Sequence, residues 1–169
     1  MPQSDLVALA RRLIDQNRYM TLATADTAGR PWVSPVFYTP DRYTDFYWVS
    51  SHEARHSQNI AGRPDVSIVV FDSQAPIGAA QAVYMSARAE EVSESDVERD
   101  LRFYNARCDA GSFAGLRSFG QDQLQPPALL RLYRATVSEH SVLIRGGDPE
   151  HGRGVDSRLH VTLWPPSAS

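Results

Sequence analysis

The feature that most narrows the choice of fold is a succession of short β-prone runs, bounded by turn residues, which helical segments interrupt but do not alternate with. The runs are Tyr19 to Thr24, Pro31 to Tyr38, Phe46 to Ser50, Val66 to Phe71 and Ala82 to Glu91, then Leu129 to Ser138, Ser141 to Ile144 and Arg158 to Trp164. Asp26-Thr27-Ala28-Gly29 joins the first two, and Thr39 to Asp45, with Pro40-Asp41, joins the next two. Connections this short make antiparallel neighbours. Helical spacing puts Leu6, Leu9, Ala10, Leu13 and Ile14 on one face of a helix over 4–17, behind Ser4 or Asp5 as a cap. A second helix over 94–107 carries Val97, Leu101 and Tyr104 as a stripe, and the polar stretch His52 to Ala61 reads as a helical crossover stopped by Gly62 and Pro64. A doubly wound sheet needs regular alternation of strand and helix. The pattern instead predicts a mainly β fold with helical additions, an antiparallel barrel in one domain over 1–169 with a Gly-rich C-terminal extension from about 145.

Charge and cysteine content then remove whole classes of function. The formal net charge of −3 gives no general drive toward nucleic acid or an anionic bilayer. All 17 basic residues are Arg, so an anion site here uses permanently charged bidentate donors, and Schiff-base lysine or P-loop chemistry is excluded. Cys108 is the single cysteine, which rules out an intramolecular disulfide, and it has no nearby His to activate it as a nucleophile. No apolar run reaches membrane-spanning length and the N-terminus lacks a basic leader, so the expected compartment is the cytoplasm.

Two readings compete for His52-Glu53-Ala54-Arg55-His56. The string satisfies H-E-x-x-H, the zinc-hydrolase pattern, but Ser50, Ser51, Ser57, Gln58 and Asn59 make its surroundings polar, and Arg55 puts a fixed cation beside the supposed metal. The alternative is an anion site: a strand ending in Ser50 and Ser51 turns into a helix whose first amides are unpaired, with Arg55 and His56 in the first turn. Hydroxyls, a helix N-terminus and a guanidinium together suit a phosphate monoester. Trp32, Trp48 and Trp164 are candidates for a ring-stacking pocket, and Trp48 is the one that immediately precedes the phosphate turn.

Met20-Thr21-Leu22-Ala23-Thr24, Gly29-Arg30-Pro31-Trp32-Val33-Ser34-Pro35-Val36, Phe46-Tyr47-Trp48-Val49-Ser50, Arg55-His56, Asn59-Ile60 and Arg63-Pro64-Asp65-Val66-Ser67, in this order, resemble the pyridoxamine 5'-phosphate oxidase-like, FMN-binding split-barrel family over about residues 5–91. The resemblance implies a homodimer of six-stranded split barrels with FMN in a groove at the subunit interface, acting as an oxidoreductase on a small-molecule redox substrate. Carried over by position, Val33, Ser34, Pro35 and Val36 run beside the flavin ring. Trp48, Val49, Ser50 and Ser51 lead to the phosphate, and Arg55 and His56 stand where the family has an Arg-Lys pair gripping it. Gln81 lies near a ring-contacting Gln, and Arg158 and His160 echo a substrate-holding triplet, although Val161 replaces the Asp that should follow it. The same fold also admits the deazaflavin F420, with Arg18, Arg30 or Arg63 meeting its acidic tail, or a non-catalytic flavin- or haem-binding role. The zinc hydrolase is the remotest alternative.

Overall fold

The computed structural model describes residues 2–111 and 115–163; Trp164 lies outside them. The first helix, α1 (Gln3–Gln16), buries Leu6, Leu9, Ala10, Leu13 and Ile14, the face that its spacing predicts. The strands are β1 (Tyr19–Ala25), β2 (Pro31–Phe37), β3 (Thr39–Asp41), β4 (Asp45–Ser51), β5 (Asp65–Phe71), β6 (Ala82–Glu91), β7 (Leu130–Ile144) and β8 (Ser157–Val161). Two more helices, α2 (Arg55–Gly62) and α3 (Val97–Asp109), follow β4 and β6. All eight strands form one antiparallel sheet in the order β2-β1-β5-β6-β7-β4-β3, with β8 on the far half of β7. Among the described residues no helix is long and apolar enough to cross a membrane.

The sheet curls so that alternate residues face a common interior. On β1, Met20, Leu22 and Thr24 point inward while Tyr19, Thr21 and Ala23 point out, and the ladder puts Pro35 and Val69 on either side of Thr21 on the outer face. β4 departs from this simple alternation because both its faces are covered. Phe46 and Trp48 enter the interior with Tyr38 and Tyr133, whereas Tyr47 packs outward against a second cluster with Leu101 and Tyr104 of α3. The Trp48 indole is fully buried and stacks on Tyr133 at 5.5 Å between centroids, so its ring belongs to the core and lines no ligand surface. That corrects the expectation drawn from its position before the phosphate turn.

Two boundaries differ from the sequence pattern for local reasons. The runs Leu129 to Ser138 and Ser141 to Ile144 are one strand, β7, because a bulge shifts the register there: Ser86 faces Glu139 while Ala87 faces Val137, and Ser138 donates to the Ser86 carbonyl at 3.1 Å. Thr39 to Asp45 is not all loop. Thr39, Pro40 and Asp41 form edge strand β3, and the reversal is made by Arg42 and Tyr43, both at positive φ.

The order of strands leaves one seam. β2 and β4 are not hydrogen-bonded neighbours, and side chains of α2 bond to both, to Ser34 on β2 and to Ser50 and Ser51 on β4. This opening positions the candidate site.

Candidate functional site

The segment from Ser51 to α2 sets the corner. The Ser51 hydroxyl accepts from the Glu53 amide at 3.1 Å, and its carbonyl accepts from the Ala54 amide and the Ser57 hydroxyl. These bonds hold 51–54 as a turn, so the helix starts at Arg55 and not at His52. The consequence for H-E-x-x-H is direct: exposed His52 stands in the turn, buried His56 in the first turn of the helix, and the two do not share a helical face. No group of three metal-ligating side chains occurs among the described residues. The zinc reading therefore has no geometry behind it.

His56 closes the seam. Its Nε2 lies 2.9 Å from Ser50 Oγ on β4 and its Nδ1 3.2 Å from Ser34 Oγ on β2. A neutral imidazole donates with one nitrogen and accepts with the other, so the bridge is satisfied without charge. Burial also pushes the His56 pKa below the ordinary histidine value. It is thus a clamp between strands in this structure, and the cation of the corner is Arg55.

Arg55 is the first residue of α2, whose N-terminus has no side-chain cap. A cation there opposes the helix dipole, which favours negative charge at that end. The opposition is relieved by Asp26 in the β1–β2 turn, whose Oδ2 lies 3.3 Å from Arg55 Nη2. The Arg30 backbone amide, then the Arg30 guanidinium, the Ala28 amide and Arg55, hold the Asp26 carboxyl below the usual range. The Arg55 side chain stays 51% exposed, with its guanidinium 6.0 Å from the ring of exposed Trp32. Asn59 donates to Thr24 Oγ1 at 3.0 Å, which ties the buried side of α2 to β1.

The remaining candidates fall in different places. Ser34 and Val36 are on the inner face of β2, Val33 and Pro35 on the outer, and Val49 packs with the second cluster. β2 pairs only with β1, so its other edge faces the seam. Gln81 lies just before β6, beside Leu13 and Gln16 of α1, at the end of the sheet away from Asp26; within one chain it does not meet the Arg55 corner. Arg158 and His160 line a separate groove of about 460 Å³ on the outer face, where the Arg158 guanidinium lies 3.7 Å from the centroid of Tyr84. Sequence reading missed Asp26 as the partner of Arg55, since the two are 29 residues apart. The turn sequence Asp26-Thr27-Ala28-Gly29 was its only local trace.

The two buried histidines make stability depend on pH. Burial lowers the His140 pKa as well, a hydrogen bond to the Tyr43 backbone opposing this and His160 adding to it. Both pKa values are lower in the folded than in the unfolded chain. Their stabilisation is therefore present above the unfolded value, about 6.5, and is lost as the pH falls below it. The melting temperature is expected to decline from pH 7 toward pH 5, and less steeply in His56→Gln. A flat profile would show that neither ring binds its proton less readily in the fold than in the unfolded chain.

Comparison with known proteins agrees with this architecture. No curated protein sequence matches the chain. Among solved structures, a heme binding protein from Mycobacterium smegmatis superposes with a TM-score of 0.63 at 20% identity; 95% of this chain is covered, and it spans 59% of that relative's length. A FAD-binding protein from Mesorhizobium loti gives 0.58 at 20% identity over 80% of this chain and 91% of that one. An F420 reductase gives 0.55 at 18% identity over 78% and 95%. These likenesses establish a split-barrel fold. The sequence profile of pyridoxamine 5'-phosphate oxidase matches residues 6–140, and the chain belongs to that family.

Proposed function

We propose that the protein binds FMN by its phosphate at the Arg55 corner and acts as a flavin-dependent oxidoreductase on a small-molecule substrate. The observation that carries this reading is Arg55 itself, a half-exposed guanidinium at an uncapped helix N-terminus, next in the chain to the His56 that bonds the Ser50 hydroxyl. This donor set fits a phosphate monoester: a bidentate cation, helix amides and a hydroxyl. When bound, the flavin supplies the electron chemistry, and the chain supplies position and electrostatics. Arg55 binds phosphate oxygens in exchange for part of its contact with Asp26. His56 fixes the Ser34 and Ser50 hydroxyls, and the free edge of β2 offers backbone donors and acceptors to the ring.

The reading includes a homodimer. Tyr19, Val33, Pro35, Ser67, Val69 and Phe71 share the outer face of β2-β1-β5, an exposed surface with few charges that suits a second copy. Sedimentation should give twice the monomer mass at micromolar concentration; a monomer rejects this part of the proposal.

Arg55→Ala is expected to weaken FMN binding roughly 10- to 150-fold, equivalent to about 1.5–3 kcal/mol for charge-assisted hydrogen bonds. An affinity within twofold of wild type places the phosphate elsewhere. His52→Ala, on the exposed turn, should leave binding unchanged. The absorbance spectrum of the purified protein distinguishes flavin, F420 and haem.

A second reading is a non-catalytic cofactor holder. It is favoured by His56, whose two ring nitrogens are both engaged, so the corner offers no free imidazole as an acid or base. Binding without steady-state oxidation of NADH or NADPH supports the holder, and turnover supports the enzyme.

A further inference from the structure

The bridge made by His56 imposes a rule on protons. Its Nε2 lies 2.9 Å from Ser50 Oγ and its Nδ1 3.2 Å from Ser34 Oγ. A neutral imidazole has one N–H, so it donates to one of these hydroxyls and must accept the proton of the other. In either tautomer, one serine gives its only proton to the ring and keeps none for a ligand. An imidazolium donates from both nitrogens. Both serines then accept from the ring, and both hydroxyl protons turn elsewhere.

Burial makes that difference matter. The ring is 8% exposed, whereas Ser34 and Ser50 are only half-buried, one on each side of the seam. The hydroxyls are thus open to a ligand that the imidazole does not touch. Charged groups on the surrounding elements have partners of their own. β2 has no titratable side chain, and on β4 Asp45 stands at the far end while Tyr47 packs outward against α3. On β7, Arg131 lies across the ladder from Ser50 and pairs with Glu91, and the Tyr133 hydroxyl turns to Ser57 and Glu91. On β6, Arg88 pairs with Asp65 and Glu90 with Arg134. At the start of α2, Arg55 pairs with Asp26, which Arg30 also meets; Arg63 follows the far end of the helix, and His52 and Glu53 are exposed in the preceding turn. Burial is what lowers the pKa of the ring.

We infer that a ligand accepting from both hydroxyls binds this corner together with one proton, taken from solvent and held on His56. The inference rests on the flavin-class reading, in which the phosphate and the ring system supply the acceptors. His56 is then a positioning residue. It stays on the two serines and aims their protons outward, while Arg55 meets the phosphate.

The test is calorimetric titration of the full chain with FMN at pH 7 in two buffers of different ionisation enthalpy, which counts protons taken up per FMN bound. A phosphate monoester has its second pKa at about 6, so the ligand is mostly ionised at pH 7 and can only release protons; net uptake must be on the protein. Wild type is expected to take up about one proton, and its affinity to fall severalfold, at most about tenfold, from pH 7 to pH 8. Ser34→Ala is the decisive variant. With one hydroxyl left, a neutral ring donating to Ser50 frees the Ser50 proton, so uptake should vanish while FMN still binds. His56→Gln, whose amide has a donor and an acceptor, should show no uptake and an affinity within twofold between pH 7 and pH 8. His52→Ala removes the other imidazole of the corner and should leave uptake unchanged. Melting temperatures at pH 8 check that each variant folds.

Binding of FMN by wild type without proton uptake overturns the inference. So does uptake that persists in Ser34→Ala, which would mean that the ligand's charge alone protonates the ring, or uptake that is lost in His52→Ala. In each case FMN binding sensitive to Arg55→Ala leaves the proposed function standing. If wild type does not bind FMN, the proposed function fails and this inference fails with it.

Discussion

Trp48→Ala is expected to destabilise the protein by about 3–5 kcal/mol, the range for truncating a buried aromatic residue to alanine. The indole is wholly buried, stacks on Tyr133, and stands on a strand whose opposite face is also covered. A packed β4 has little freedom to collapse into the space left behind, which places the cost toward the upper end. For a domain of this size that corresponds to a fall in melting temperature on the order of 10 °C. Trp48→Phe should recover most of the loss, because the indole N–H has no acceptor among the described residues and its removal leaves no polar group unpaired. Cofactor affinity is the discriminating second measurement. A core residue changes stability and leaves the affinity of the folded Trp48→Phe variant near wild type, whereas a stacking residue would change affinity directly.

Asp100→Ala should cost about 3 kcal/mol, near the low end for breaking a buried ion pair. The Asp100 carboxylate is 1% exposed and accepts from Arg99 Nε at 2.7 Å and Arg134 Nη1 at 3.0 Å. Through Arg134 it joins α3 to β7, and Arg134 also meets Glu90 on β6. Removing the carboxylate strands a partly buried guanidinium, but Arg99 is half exposed and rehydrates, which keeps the cost down. Asp100→Asn retains hydrogen-bond acceptance and should lose less than half as much. Denaturant unfolding measures both variants, and a change below about 0.5 kcal/mol, the usual size for a surface substitution, would mean that α3 is docked by its apolar stripe alone.

The fold was legible in the sequence wherever a strand has one wet face. β1 and β5 alternate cleanly, and β6 begins and ends where its turn residues predict. Legibility failed where a tertiary effect replaces the local one. The bulge at Ser138 is invisible without its partner strand, and Pro40 conceals an edge strand of three residues. Burial on both faces removes the alternation on β4 that would have marked Trp48 as core. At the site, the grouping of Ser50, Arg55 and His56 follows from their closeness in sequence. The assignment of His56 to span Ser34 and Ser50, and of Asp26 to meet Arg55, depends on strands distant in the chain. The resemblance set His56 where the family has a second cation; the structure shows it bridging two hydroxyls, with burial favouring its neutral form.

That bridge has a mechanical consequence. Elsewhere the wall is fastened by ladders of backbone bonds that no single substitution can undo, but between β2 and β4 the fastening is a side chain with two contacts. The strand proposed to run along the flavin is therefore held by a latch, and the width of the slot beside it can be reset by altering one ring and leaving every other strand in place.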